Sequence, residues 1–228
     1  MKEYKPQTID PPLLEDLSQL VRIAIREDLD RYLDLTTAAL VPHGATGSAA
    51  IVSRVAGVAS GFDLIQPILD EFDCSVQCEV KVGDSQAFES RATLAVLTGN
   101  TRDLLTIERT LLNILGRLCG IATWTQRFVK RIEHTRSRVY DTRKTTPAWR
   151  RLEKYAVRCG GGHTHRMVLY DAILIKDNHL AANQNSFGSP MDTYAAVMQA
   201  RHYLQASGVP HASQVIIEIE IDRVEQLE

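Results

Sequence analysis

Between Asp141 and His179 the chain reads DTRKTTPAWRRLEKYAVRCGGGHTHRMVLYDAILIKDNH. Arg143 and Lys144 follow a short apolar run, His165 and Arg166 follow a glycine triplet, and Lys176 closes the run Ala-Ile-Leu-Ile. From Arg127 to Arg166 there are twelve Lys or Arg against three acids, a local excess of nine. Such a cluster calls for an anion. Arginine meets a carboxylate or phosphate through two parallel N–H donors, while lysine supplies a point charge. No G-x-x-x-x-G-K-[ST] occurs and no G-x-G-x-x-G follows a strand, so the two common nucleotide-phosphate cradles are missing. Cations spread over several strand ends suit a compact ligand with several anionic groups. A lysine ending an apolar run is half-buried by expectation, and burial without an anionic partner is costly. Glu218 and Glu220, two residues apart in a strand, face the same side.

These residues need elements to hold them. Residues 11–29 place Leu14, Leu17, Leu20, Val21 and Ile25 at helical spacing behind Pro11 and Pro12. From about Gly47 to Gly99, short alternating or β-branched runs predict a small sheet, interrupted by a helix over FDLIQPILDEF. Residues 101–134 read as a long helical stretch, either one helix or two broken near Gly120, bridging two domains. Three apolar runs then follow, 138–142, 172–177 and 215–221, separated by helical segments at 147–159 and 190–207. That alternation predicts parallel βαβ units, whose chemistry collects at the carboxyl ends of the strands. Arg150, Lys154 and Arg158, spaced i, i+4, i+8, read as a solvated helix face. Gly160–Gly162 exceed what a helix stop requires, which predicts close approach to a ligand or a neighbouring chain.

Composition bounds the class. The 228 residues are 44% hydrophobic with a net charge of −2, enough for one substantial core or two modest ones. No apolar run approaches the ~18 to 20 residues of a membrane span. The opening MKEYKPQTIDPP lacks a signal-peptide core, so a cytoplasmic location is expected. Cys74, Cys78, Cys119 and Cys159 show no zinc or redox spacing and read as reduced, mostly buried thiols. The rival for the basic stretch is RNA, since Tyr140, Trp149 and Tyr155 interleave the cations. The slightly acidic whole chain argues against it.

TRKTTPAWRRLEKYAVRCGGG, then His165-Arg166, then LIKDNH closely resemble the quinolinate phosphoribosyltransferase family. The resemblance extends to ERTLLNILGRLCGIAT, to REDLDRYLDLTT and to EIEID, in order over nearly the whole chain. It implies an α/β protein: an N-terminal α/β sandwich with a leading helix, placed at 1–115, then an open α/β barrel at 116–228. It implies transfer of a phosphoribosyl group from phosphoribosyl pyrophosphate to quinolinate with decarboxylation, using Mg2+, in a cytoplasmic homodimer with shared active sites. No nucleic-acid or membrane partner is implied. Arg143, Lys144, Arg166 and Lys176 would surround the quinolinate carboxylates with His165 beside them. Thr142 would add backbone or hydroxyl contacts, and Arg109 would reach in from the second subunit. Glu220 would serve the ribose or the metal, and Lys144, Lys176 and Glu220 would carry the catalytic burden.

The chain departs from the family pattern at Asp30 and Leu33, where glycines are usual, and at Thr164. It also ends at IDRVEQLE, where the resemblance implies further strands. The expectation is therefore a barrel incomplete at its C-terminus. The alternative function on that expectation is a catalytically inactive dicarboxylate-binding or oligomerisation partner of the same fold.

Overall fold

Asp10 starts the first helix: its carboxylate accepts the Leu13 N–H at 3.0 Å, and Pro11 and Pro12 occupy first-turn positions whose N–H groups would go unpaired anyway. The helix, α1 (Pro11–Leu29), buries Leu13, Leu17 and Val21 completely. At its end Asp30 takes φ 48°, a conformation that favours glycine, which accounts for the family's preference at this turn. A short α2 (Leu35–Leu40) follows, capped by Asp34.

Next come β1 (Thr46–Val52), β2 (Gly57–Val58), α3 (Ile65–Glu71), β3 (Gln77–Val80), β4 (Ala87–Phe88) and β5 (Thr93–Asn100). The main sheet is antiparallel in the order β1-β5-β3, and β2 pairs with β4. β5 sits centrally, and its Leu94, Ala95 and Leu97 supply buried apolar surface. Asn100 then caps α4 (Thr101–Ile132), its side chain accepting the Arg102 N–H at 2.8 Å. Leu104, Ile107, Leu111, Ile114, Leu115, Leu118 and Ala122 form the buried stripe of α4, which lies against β1, β2 and β5. With α1 and α3 in the same core, this is an α/β sandwich.

α4 runs unbroken through Gly120, so the long helical stretch is one helix and not two. Both Gly116 and Gly120 face open space, so each costs only the ~1 kcal/mol of a helical glycine, which the stripe offsets. The apolar run at 138–142 is also not a strand. A single parallel bridge joins Tyr140 to His163, with His163 N donating to Val139 O at 2.8 Å and Asp141 N to His163 O at 3.0 Å. α5 (Arg150–Cys159) completes this unit, which spans Lys5–His165.

The glycine triplet follows α5, and its close neighbours belong to the chain itself. A Cβ on Gly160 would lie 2.3 Å from the Ala122 carbonyl oxygen, and one on Gly162 would lie 2.9 Å from Thr125 Cγ2. Gly161 needs its φ of +85°. The glycines let α5 close onto α4, which corrects the expectation of a ligand or second chain there.

Lys154 is not on a solvated face. Its side chain is 0% exposed and pairs with Asp141, 5% exposed. Burial holds the Asp141 carboxyl above its ordinary range, and the hydrogen bonds from Lys154 and the His165 N–H only partly oppose it. A carboxyl raised on folding contributes stability that is present at low pH and lost as pH rises through the folded value. At neutral pH the pair therefore fixes an arrangement more than it adds stability.

The second unit comprises Met1–Tyr4 and Arg166–Glu228. Its strands β6 (Ala172–Ile175) and β7 (Ile216–Ile219) are parallel, with Leu174 opposite Glu218 and Ile175 opposite Ile219. Between them lie α6 (Asp177–Ala182) and α7 (Thr193–Ala206). Ile175, Leu180 and Ala196 centre a small core of their own, and α7 packs on both strands. The two later strand expectations and their parallel pairing hold. Position 190, where the second helical segment was expected to begin, lies outside the described residues. The structure, a computed structural model, describes residues 3–183 and 191–227. The expected truncated barrel gives way to an open, unclosed sheet with its own core, because α7 covers both strands. Among the described residues no helix is long and apolar enough to cross a membrane.

Lys154→Met leaves a buried carboxylate without its cation and lowers stability by about 3 to 5 kcal/mol, whereas Asp141→Asn/Lys154→Met, with no buried charge, recovers most of that; urea unfolding of both variants checks this. All four cysteines are free, and burial pushes the Cys119 thiol up to about 11. At pH 8 about one Cys119 in a thousand is thiolate, so iodoacetamide labels it slowly in the native protein and readily in urea, as read by mass spectrometry.

Candidate functional site

In the larger unit the candidate ligands sit in two loops hung from one carboxylate. Asp141 Oδ1 accepts from Lys154 Nζ and from the His165 N–H at 2.8 Å, and Lys154 Nζ also donates to the His165 carbonyl at 3.2 Å. Thr142, Arg143 and Lys144 follow directly. Lys144 N donates to Thr142 Oγ1 at 3.0 Å, closing a tight turn. The Lys144 and Thr142 side chains are exposed and His165 is half-buried. Arg143 is half-buried with Nε shut away from solvent and no hydrogen-bond partner among the described residues. Arg109 is exposed on α4.

Other cations of the basic stretch are committed to the fold. Arg117 pairs with Glu153 and lies over Trp149, 5.1 Å from the ring centroid. Arg151 pairs with Asp16 at 3.2 Å. Arg158 donates to the Gln7 carbonyl at 3.3 Å. Of the aromatics that suggested base stacking, Tyr155 is 4% exposed with its hydroxyl donating to Asp84 at 2.7 Å, and Trp149 is taken by Arg117. The stacking platform that an RNA reading needs is largely spent inside the fold.

The smaller unit presents Arg166, 8% exposed, donating to the Ala172 carbonyl at 3.4 Å. Asp171 shapes the turn before β6 by accepting the N–H groups of Met167 and Val168 at 2.7 and 3.1 Å. At the carboxyl ends of the parallel strands Lys176 donates to Glu220 at 2.6 Å, and Glu220 N donates to the Ile175 carbonyl at 2.9 Å, extending the ladder by one rung. Lys176 therefore has an anionic partner. With side chains 36% and 55% exposed, the pair holds by only ~0–1 kcal/mol, so a ligand anion can compete for the lysine. Glu218 acts on Tyr4, whose hydroxyl is held well above its ordinary range by burial first and by the Glu218 carboxylate second.

Sequence reasoning missed three participants: Asp141 and Lys154, which organise the larger unit's loops, and Tyr4 on Glu218. Asp141 could have been noticed as the lone acid inside the basic run beside Arg143 and Lys144. Nothing in the spacing marks Lys154, which lies off the apolar stripe Leu152, Tyr155, Ala156, Cys159. Among the described residues no group of three His, Cys, Asp or Glu side chains is arranged to hold a metal ion.

Each unit thus displays cations that the fold does not neutralise. Arg143 and Lys144 in one and Arg166 in the other make no ion pair with a carboxylate among the described residues.

Comparison with known proteins matches both parts of the chain. Residues 34–119 match the N-terminal domain of quinolinate phosphoribosyl transferase, and residues 121–228 match its C-terminal domain. The expectation of a chain lacking its C-terminal part is corrected by that second match. The two matches meet within α4, while the structural units divide after His165. The chain is 40% identical over 210 residues to the carboxylating nicotinate-nucleotide pyrophosphorylase of Mycobacterium leprae, covering 91% of this chain and 69% of that protein. It is 39% identical to a probable enzyme of the same name from Bacillus subtilis, over 78% of this chain and 57% of the relative's length, less than two thirds of it. The solved structure of the Francisella tularensis nicotinate-nucleotide pyrophosphorylase superposes with a TM-score of 0.84 at 32% identity, covering 99% of this chain and 73% of that one. By its motifs, its sandwich, its parallel strands and these matches, the chain belongs to the quinolinate phosphoribosyl transferase family.

Proposed function

We propose that the chain transfers a phosphoribosyl group from phosphoribosyl pyrophosphate to quinolinate with loss of CO2, giving nicotinate mononucleotide and pyrophosphate. Family membership supports the reading. The observation that carries it is the set Arg143, Lys144 and Arg166, which make no ion pair with a carboxylate among the described residues, Arg143 above all with a buried Nε that has no hydrogen-bond partner among them. A desolvated guanidinium without an acceptor is costly in an empty fold and favourable around a fixed anion. A dicarboxylate is the natural occupant, since a monoanion would leave cations unmatched.

The chemistry asks for alignment and charge rather than a base. The pyridine nitrogen of quinolinate is itself the nucleophile. It bonds to the ribose carbon as the bond to pyrophosphate breaks, and the electron pair leaves with the pyrophosphate oxygen. Positive charge builds on the ribose meanwhile, and Glu220 is the carboxylate assigned to favour it. The bond to CO2 then breaks with its electrons held beside the pyridinium nitrogen, and that ring carbon takes a proton from solvent. Arg143, Lys144, Arg166 and Lys176 hold carboxylates, Thr142 and His165 supply hydrogen bonds, and Arg109, exposed on α4, serves the second subunit of a homodimer.

The described residues do not form a protein-held Mg2+ site. Magnesium keeps waters and favours substrate phosphates plus one or two carboxylates, so in this reading it arrives on the pyrophosphate group, with Glu220 as the candidate protein ligand. The four free cysteines support the cytoplasmic location in this proposal, because reduced thiols persist there.

Calorimetric titration of the purified chain with quinolinate is expected to show binding, with nicotinate failing to compete. Adding phosphoribosyl pyrophosphate and Mg2+ is expected to yield nicotinate mononucleotide; absence of both binding and product overturns the reading. Lys176→Ala is expected to lower turnover by about 10- to 100-fold, the weight of one charge-assisted contact made as charge moves. Unchanged turnover would remove Lys176 from the machinery.

A further inference from the structure

Lys154 belongs to none of the ligand-facing positions, yet it is the most deeply buried cation in the larger unit, with 0% of its side chain exposed. A long apolar side chain would fill that space without bringing a charge out of water, so stability does not explain an ammonium there. Its contacts do. Nζ touches Asp141 Oδ1 and the His165 carbonyl, while the His165 N–H donates to the same Asp141 oxygen at 2.8 Å. Three segments meet at one point: the end of the apolar run at Asp141, the middle of α5, and the loop after the glycine triplet.

We propose that Lys154 is a positioning residue for the dicarboxylate, setting the Thr142–Lys144 turn through Asp141 and the His165 main chain through the shared ion pair. The proposal rests on the preceding reading that those residues bind quinolinate. Asp141 is covalently followed by Thr142, Arg143 and Lys144, so any swing of its backbone passes directly into the turn. The carboxylate is held by one oxygen only, because Oδ2 is buried with no hydrogen-bond partner among the described residues. Without Lys154 a single main-chain N–H would be left to orient Asp141. A shift of about 1 Å in a binding group costs on the order of a hundredfold in rate.

The anchorage of α5 makes Lys154 a rigid post. Leu152, Tyr155, Ala156 and Cys159 bury one side of the helix in the core, Tyr155 is tied to Asp84, and Gly160 lets the helix end close onto α4. The helix that carries the ammonium is therefore anchored in the core, and Nζ reaches from it to both loops.

The test compares Lys154→Met with wild type by steady-state kinetics in both substrates, with circular dichroism to confirm folding. The expected result is a rise of at least tenfold in the quinolinate KM with the KM for phosphoribosyl pyrophosphate changed less than twofold. A merely structural role lowers only the active fraction, so equal or unchanged KM values with a reduced kcat overturn the proposal. If Lys154→Met does not fold, Asp141→Asn/Lys154→Met is measured in its place. A quinolinate KM that stays raised in the double variant upholds the assignment, and one restored to wild type overturns it. If the wild-type chain neither binds nor consumes quinolinate, the functional reading fails separately. Hydrogen exchange of the His165 amide then decides the positioning role: at least tenfold faster exchange in the folded variant upholds it, and unchanged exchange overturns it.

Discussion

The candidate-ligand loops of the larger unit hang from an ion pair that water does not reach. Asp141 and Lys154 are thirteen residues apart in sequence, one at the end of an apolar run and the other inside a helix. Their contact fixes both strand-like segments at once, because Asp141 also receives the His165 amide. Removing charge from water is expensive, and the raised Asp141 carboxyl shows that the cost is not fully returned. What the pair supplies is a single arrangement: two loops that carry candidate ligands cannot slide past one another while it stands.

Packing makes that arrangement possible. α5 approaches α4 closely only because Gly160 and Gly162 present no side chain to Ala122 and Thr125. The glycines, whose run in sequence predicts close approach to a ligand or a neighbouring chain, serve helix contact. On the same helix Lys154 is shut from solvent and Tyr155 reaches Asp84, which itself accepts the N–H groups of Gly61 and Phe62 at 2.9 and 2.8 Å. Core packing and the candidate site are thus linked through a chain of buried polar contacts, each with its partner.

The cations in and around the basic stretch include two kinds. Lys154, Arg117 and Arg151 spend their charge on Asp141, Glu153 and Asp16 and act as struts. Arg143 and Lys144 keep theirs, as does Arg166 in the smaller unit. Lys176 stands between the two groups, in a half-exposed pair with Glu220 that a ligand can open. A bare charge count sees a basic patch; the structure shows which charges remain for an anion.

Much of the fold was legible because it is local. The proline pair and the spacing of Leu17 and Val21 announce α1, alternating runs announce the first sheet, and the β-branched runs at 172–177 and 215–221 announce parallel strands. The resemblance in TRKTTP, HR and LIKDNH pointed to the candidate ligands by type and order. Tertiary structure alone decided the rest. Gly120 breaks nothing because burial along α4 outweighs its propensity. The run at 138–142 makes only one bridge because its neighbour is a loop, not a strand. Lys154 is interior although its spacing with Arg150 and Arg158 describes an exposed face. Sequence records which residues share a helix side, set by a fixed angle per residue. Whether that side meets water or another element depends on contacts made outside the helix, and for Lys154 those include the Asp141 carboxylate and the His165 carbonyl.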